Sequence, residues 1–135
     1  MGASHASTRV VHLSSFESNG GAARAAWRVH ESLRQDGGVV STMFVGNRGD
    51  RNPGVEQYTH GTGVRGRLER YVRREVKRRQ LEGAARTRPL QFEPFQIDRT
   101  EYGSDVAHAA PPADIYHLHQ ITDFLDYRKI GRAHV

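Results

Sequence analysis

Three groups of residues in this sequence have the types and the spacing to do chemistry. The first is Gly20-Gly21-Ala22-Ala23-Arg24, which follows a short apolar run and opens an apolar-periodic stretch. Two glycines there let the backbone approach an anion with no Cβ in the way. The free N–H groups and the dipole of a helix N-terminus favour a phosphate at that place. Ala22 lies in the first turn, and Arg24, one turn in, adds a forked cationic donor. An ordinary tight turn between a strand and a helix is the plain alternative. Neither a G-x-G-x-x-G fingerprint nor a G-K-[ST] loop is present, so the dinucleotide and P-loop signatures are absent.

The second group is His117-Leu118-His119-Gln120. In a strand, residues i and i+2 share a face, so His117 and His119 point the same way. Ligands of open parallel sheets bind beyond the carboxyl ends of the strands. His119 and Gln120 fall at such an end, and His12 lies near the same end of the first strand. In the usual doubly wound order the first and fourth strands are neighbours across the switch point, so the three histidines can cluster at one cleft mouth. His12, His119 and Gln120 are expected to line a cleft that receives a substrate hydroxyl or phosphate. His117 is expected in the core, bonded to backbone. A divalent metal site is only a weak alternative, because no further ligand stands at a recognisable spacing, and no metal ligand is assigned.

The third group is the run of cations from Arg65 to Arg88. A solvated helix that covers one sheet face with the stripe Leu68, Val72, Val76 is the leading reading. Contact with anionic lipid headgroups is the alternative. Apart from Tyr71, no aromatics interleave with the arginines, which argues against nucleic acid. Farther on, Glu93, Asp98 and Glu101 are the carboxylates of an irregular segment, but no spacing selects an acid–base pair. A structured loop with contacts between Asp98 and Arg99 is expected there.

The elements that would position these groups follow from periodicity. Arg9-Val10-Val11-His12-Leu13 reads as a buried strand. Ala22 to Gln35 reads as a helix with the stripe Ala22, Ala26, Val29, Leu33, capped by Ser18 or Asn19 and ended by Gly37-Gly38. Val39 to Val45 is a second strand, closing a βαβ unit. A short strand is expected over Val55 to Tyr58, a helix over Val64 to Arg86, and a short helix over Ser104 to Ala110. Pro111-Pro112 precedes a strand over Asp114 to His119, and Thr122 to Lys129 has the pattern of another helix. The order predicts an α/β fold: an open, incomplete Rossmann-like parallel sheet with flanking helices.

Composition bounds the rest. With 135 residues, the chain has the length of one domain. Hydrophobic residues make up 36% and the formal charge is +5. Of the 20 basic residues, 18 are Arg, Lys77 and Lys129 being the others. Cysteine is absent, which excludes disulfides, thiolate metal sites and cysteine nucleophiles. No run of about 18 apolar residues encodes a membrane span. Met1 to Thr8 has no apolar secretory core, and Ala6 stands where a myristoylation signal needs Ser or Thr. A cytoplasmic protein is expected, with residues 1–8 flexible. The closing Ile130-Gly131-Arg132-Ala133-His134-Val135 resembles a translated sequencing adapter, so 130–135 is expected to be non-native.

Taken together, the chain resembles the N-terminal half of a family 4 glycosyltransferase of the GT-B fold. The resemblance rests on Val10-Val11-His12-Leu13-Ser14, on Gly20 to His30 with Leu33, and on Ala113-Asp114-Ile115-Tyr116-His117-Leu118-His119. Similar proteins often read G-G-A-A-R-A-A-Y-R-L-H and later D-I-I-H-L-H-W. Trp27 here replaces the Tyr, and Gln120 replaces the Trp. The resemblance implies a partial N-terminal Rossmann-like domain over 9–129. It implies a retaining enzyme that moves a sugar from a nucleotide sugar to an acceptor hydroxyl, in polysaccharide or cell-envelope glycan synthesis. Gly20, Gly21, Ala22 and Arg24 would approach the donor diphosphate. His12, His119 and Gln120 would face the glycan or lipid-linked acceptor. The second domain, with an E-x7-E carboxylate pair, is not in the sequence, so the 135 residues are expected to be inactive alone. No cofactor is implied. The Arg65 to Arg88 helix would touch an anionic membrane at its inner face, and no nucleic acid partner is expected. A non-catalytic phosphate-ligand module and a basic nucleic-acid-binding domain are the alternatives.

Overall fold

The computed structural model describes residues 7–50, 52–89, 97–103 and 105–130. In chain order the elements are β1 (Thr8–Phe16), α1 (Gly21–Asp36), β2 (Val39–Asn47), β3 (Val55–Gln57), α2 (Val64–Thr87), α3 (Asp105–Ala109), β4 (Ile115–Leu118) and α4 (Tyr127–Ile130). Residues 1–6, Glu93, Pro94, Ser104 and 131–135 lie outside the described residues, and with them most of the expected flexible terminus and non-native tail. The contacts divide the rest into two units, residues 7–58 with 109–121 and residues 59–108 with 122–130.

The first unit holds the sheet. Its order is β3-β2-β1-β4, and every neighbouring pair is parallel. With α1 connecting β1 to β2, this is a Rossmann-like α/β fold, as the alternation of elements predicts. β1 runs past Leu13 to Phe16 because its polar residues find partners. Ser14 Oγ donates to the Phe16 carbonyl at 2.8 Å, and Ser15 N donates to the Gln120 carbonyl at 2.7 Å. His12 stands level with Met43 on one side and His117 on the other.

One face of the sheet meets α1. Ala26, Met43, Val45 and Val55 form its buried cluster, with Trp27 packed against it. The helix buries Ala23, Ala26 and His30. The expected stripe of Ala22, Ala26, Val29 and Leu33 is therefore turned by about one residue, leaving Ala22 and Val29 exposed. The cause is polar. His30 is fully buried because its Nδ1 lies 2.8 Å from Ser41 Oγ on β2, and that bond sets the helix rotation. Neither Ser18 nor Asn19 caps the helix. Gly20 holds the N-cap position with no side-chain bond, while Ser18 Oγ donates to Asp50 at 2.9 Å. Gly37 ends the helix in the left-handed conformation, as expected.

The second unit centres on a carboxylate. Asp126 is nearly buried and accepts from Thr100 N, Thr100 Oγ1 and, at 2.7 Å, Arg73 Nη2. Two more pairs, Arg74–Glu101 and Lys77–Asp123, tie α2 to the same segments. No residue of α2 is buried. The stripe expected to be apolar cover is exposed: Leu68 is 62% exposed and Val72 51%. Charged residues outnumber apolar ones along the helix, and Arg73, Arg74 and Lys77 are committed to carboxylates. The stretch 122–129 is not one helix. Asp123 takes a left-handed φ of 62°, and α4 begins only at Tyr127. Asp98 pairs with Arg128, not with Arg99, and its carbonyl receives Tyr127 N. No helix among the described residues is long and apolar enough to cross a membrane.

Candidate functional site

The adjacency of β1 and β4 decides where a site can form. α1 leaves β1 toward β2, while β4 pairs on the other side of β1. That reversal is the switch point at which open parallel sheets open a crevice. The glycine turn follows one of these strands, and His119-Gln120 follows the other.

At the glycine turn, Gly20 has φ 90° and ψ 168°. Side chains with a Cβ rarely adopt that conformation, so a glycine is required by the backbone alone. A Cβ placed on Gly20 or Gly21 would meet nothing within 4 Å. Gly21 begins α1, and Arg24 N makes the first helical bond, 3.1 Å to the Gly20 carbonyl. Ala22 and Arg24 are exposed.

The turn is anchored by a residue that spacing did not single out. Glu17 is 1% exposed and accepts four N–H groups. Gly49 N and Asp50 N reach Oε2 at 2.8 and 3.1 Å, and Asn52 N and Nδ2 reach Oε1 at 3.1 and 2.8 Å. Burial works to raise its pKa. The donors of Asn52, Gly49 and Asp50 outweigh burial and hold it below the ordinary 4.5. A charged residue directly after a strand was the only hint in the sequence.

At the other side of the switch point, the histidines gather. His12 Nδ1 lies 2.9 Å from His119 Nε2, so one ring donates and the other accepts. The His117 and His119 rings are 4.0 Å apart, and the His12 ring is 5.3 and 5.2 Å from them. His12 is fully buried, and its Nε2 has no partner among the described residues. Burial, followed by the neighbouring His119, His117 and His30, pushes its pKa down to about 4. Burial and then His117 lower His119 as well. The main chain that carries the pair is pinned: His119 N donates to the Leu13 carbonyl at 3.0 Å, and Ser15 Oγ donates to the Gln120 carbonyl at 2.9 Å.

Two assignments change. His117 is exposed, not a core residue, because β4 lies at the sheet edge. His12 is the buried member, seated under His119 rather than open to solvent. Gln120 is exposed. The glycine turn follows β1 and His119-Gln120 follow β4, whereas His12 is the middle residue of β1 rather than near its end. Comparison with models of known protein families, with curated proteins and with solved structures finds no match. The class that fold and site define is thus a Rossmann-like α/β protein with a glycine turn and a histidine cluster at its switch point.

Proposed function

We propose that this chain forms the acceptor-side, diphosphate-loop portion of a retaining glycosyltransferase of the GT-B kind. The observation that carries the reading is the β1–β4 switch point, with a Gly20-Gly21 helix start on one strand and His119-Gln120 on the other. In transfer, the bond from the anomeric carbon to the diphosphate breaks as the bond to the acceptor oxygen forms. The acceptor proton leaves with the diphosphate. N–H groups at the start of α1, with Arg24 beside them, stabilise the departing charge. His119 and Gln120 orient the acceptor hydroxyl, and the buried His12 positions the His119 ring. The resemblance of the glycine turn and of the Asp114 to His119 strand to family 4 enzymes supports the same reading. In that reading the donor carboxylate pair belongs to a second domain, which turnover would require.

The first test is calorimetry with a panel of nucleoside diphosphates. Gly20→Val is expected to weaken binding by about tenfold or more, equivalent to roughly 1.4 kcal/mol. Equal binding by the parent and the variant would remove the diphosphate role. A thermal melt of the variant separates this effect from the backbone strain at φ 90°, which is worth about 1–3 kcal/mol. The second test is to read the gene beyond codon 127. A second Rossmann-like domain with an E-x7-E pair is expected. A stop codon after Val135 would leave a binding module.

A further inference from the structure

On β4, two imidazoles stand two residues apart on one face. A third, on β1, is level with the first of them. We propose that His12, His117 and His119 bind a divalent transition-metal ion, of which Zn2+ is the type, through three ring nitrogens. The site stands on the placement of these rings alone and holds whether or not the chain transfers sugars.

The geometry is close to what such an ion needs. One nitrogen from each ring lies within 4.8 Å of the other two. Around a tetrahedral zinc, with Zn–N near 2.0–2.1 Å, ligand nitrogens sit about 3.3 Å apart. His12 Nδ1 and His119 Nε2, at 2.9 Å, need to separate slightly. His117 has to swing inward, and as an exposed side chain it has room to turn. The backbone needs no rearrangement, because the bonds to Leu13 and from Ser15 already fix the end of β4 against β1. The fourth ring nearby stands outside the group. His30 is 5.9 Å from His12, centroid to centroid, and its Nδ1 is engaged by Ser41. Among the described residues, only His12, His117 and His119 bring three ligand atoms within 4.8 Å of one another.

The donor set selects the class of ion. Three neutral imidazoles suit zinc, copper or nickel and not magnesium or calcium, which take oxygen ligands. Three protein ligands leave a position open for water or a substrate atom, unlike the closed four-ligand sites that serve structure. The sequence placed the H-x-H pair on one strand face and His12 near the same cleft. The third ligand, more than a hundred positions earlier, is supplied by strand pairing.

The test uses the full chain without an affinity tag, stripped by chelator. Co2+ is added and followed by visible absorption, then Zn2+ by calorimetry. One equivalent per chain is expected, with intense Co2+ bands that Zn2+ abolishes. His117→Gln and His119→Gln should each weaken Zn2+ binding by about 100-fold or more, the upper range for losing even an outer-shell partner. His108→Ala should bind as the parent does. His12 is fully buried, so its removal risks the fold. The two more exposed variants therefore carry the test, with circular dichroism confirming that both are folded. The proposal is overturned if the parent binds no better than the His117→Gln/His119→Gln double variant. It is also overturned if only one of the two single variants loses affinity.

Discussion

Glu17 shows how much one side chain organises around the glycine turn. Its two oxygens collect four donors from 49–52, tying the chain before Gly20 to the chain after β2. Glu17→Gln keeps the shape but removes the charge and turns one acceptor into a donor. It is expected to destabilise the protein by about 2–3 kcal/mol, read in a urea titration. The same residue sets an acid limit. Its folded pKa lies below the ordinary 4.5, so its stabilisation is full above that value and fades as pH falls through the lower folded value. Between pH 6 and pH 3 the parent should therefore lose more stability than Glu17→Gln. Parallel pH curves for the two would contradict the anchoring role. The sequence offered no pattern for this contact, because its donors are backbone groups more than thirty positions away.

At the scale of elements, helices and strands were largely legible and their faces were not. α1, β2 and α2 begin and end within two residues of the sequence reading, since Gly37 and the apolar periods mark them. The rotation of α1 was not legible. Counting apolar residues favoured Val29, but the buried bond between His30 and Ser41 outweighs one exposed valine. The α2 stripe failed for a related reason: Leu68 and Val72 are exposed, and ion pairs hold the helix instead. Leu68→Gln with Val72→Gln should thus shift unfolding by less than about 0.5 kcal/mol. Arg73→Ala removes the cation beside the nearly buried Asp126 and should destabilise the protein by about 2 kcal/mol. A large loss from the glutamine pair would show that α2 is covered in solution.

Over the whole molecule, a charge of +5 concentrated in arginine bears on where the protein works. If α2 meets an anionic membrane, the chain should co-sediment with phosphatidylserine vesicles and be released as salt shortens the Debye length to about 3 Å near 1 M. Neutral vesicles should leave it in solution, and equal binding to both would exclude an electrostatic contact. What the sequence by itself determined is the class of fold and the chemistry carried at single positions. Short β-branched runs, glycine punctuation and a strand–helix–strand order admit little besides a parallel α/β sheet, because those signals are local. The gathering of His12 with His117 and His119 followed from the expected strand order, and the observed register made it specific: His12 stands level with His117. Tertiary structure alone decided that His12 is the hidden member of the three and that long-range donors to Glu17 fix the turn. Such contacts depend on register and burial across distant segments, which local periodicity does not encode.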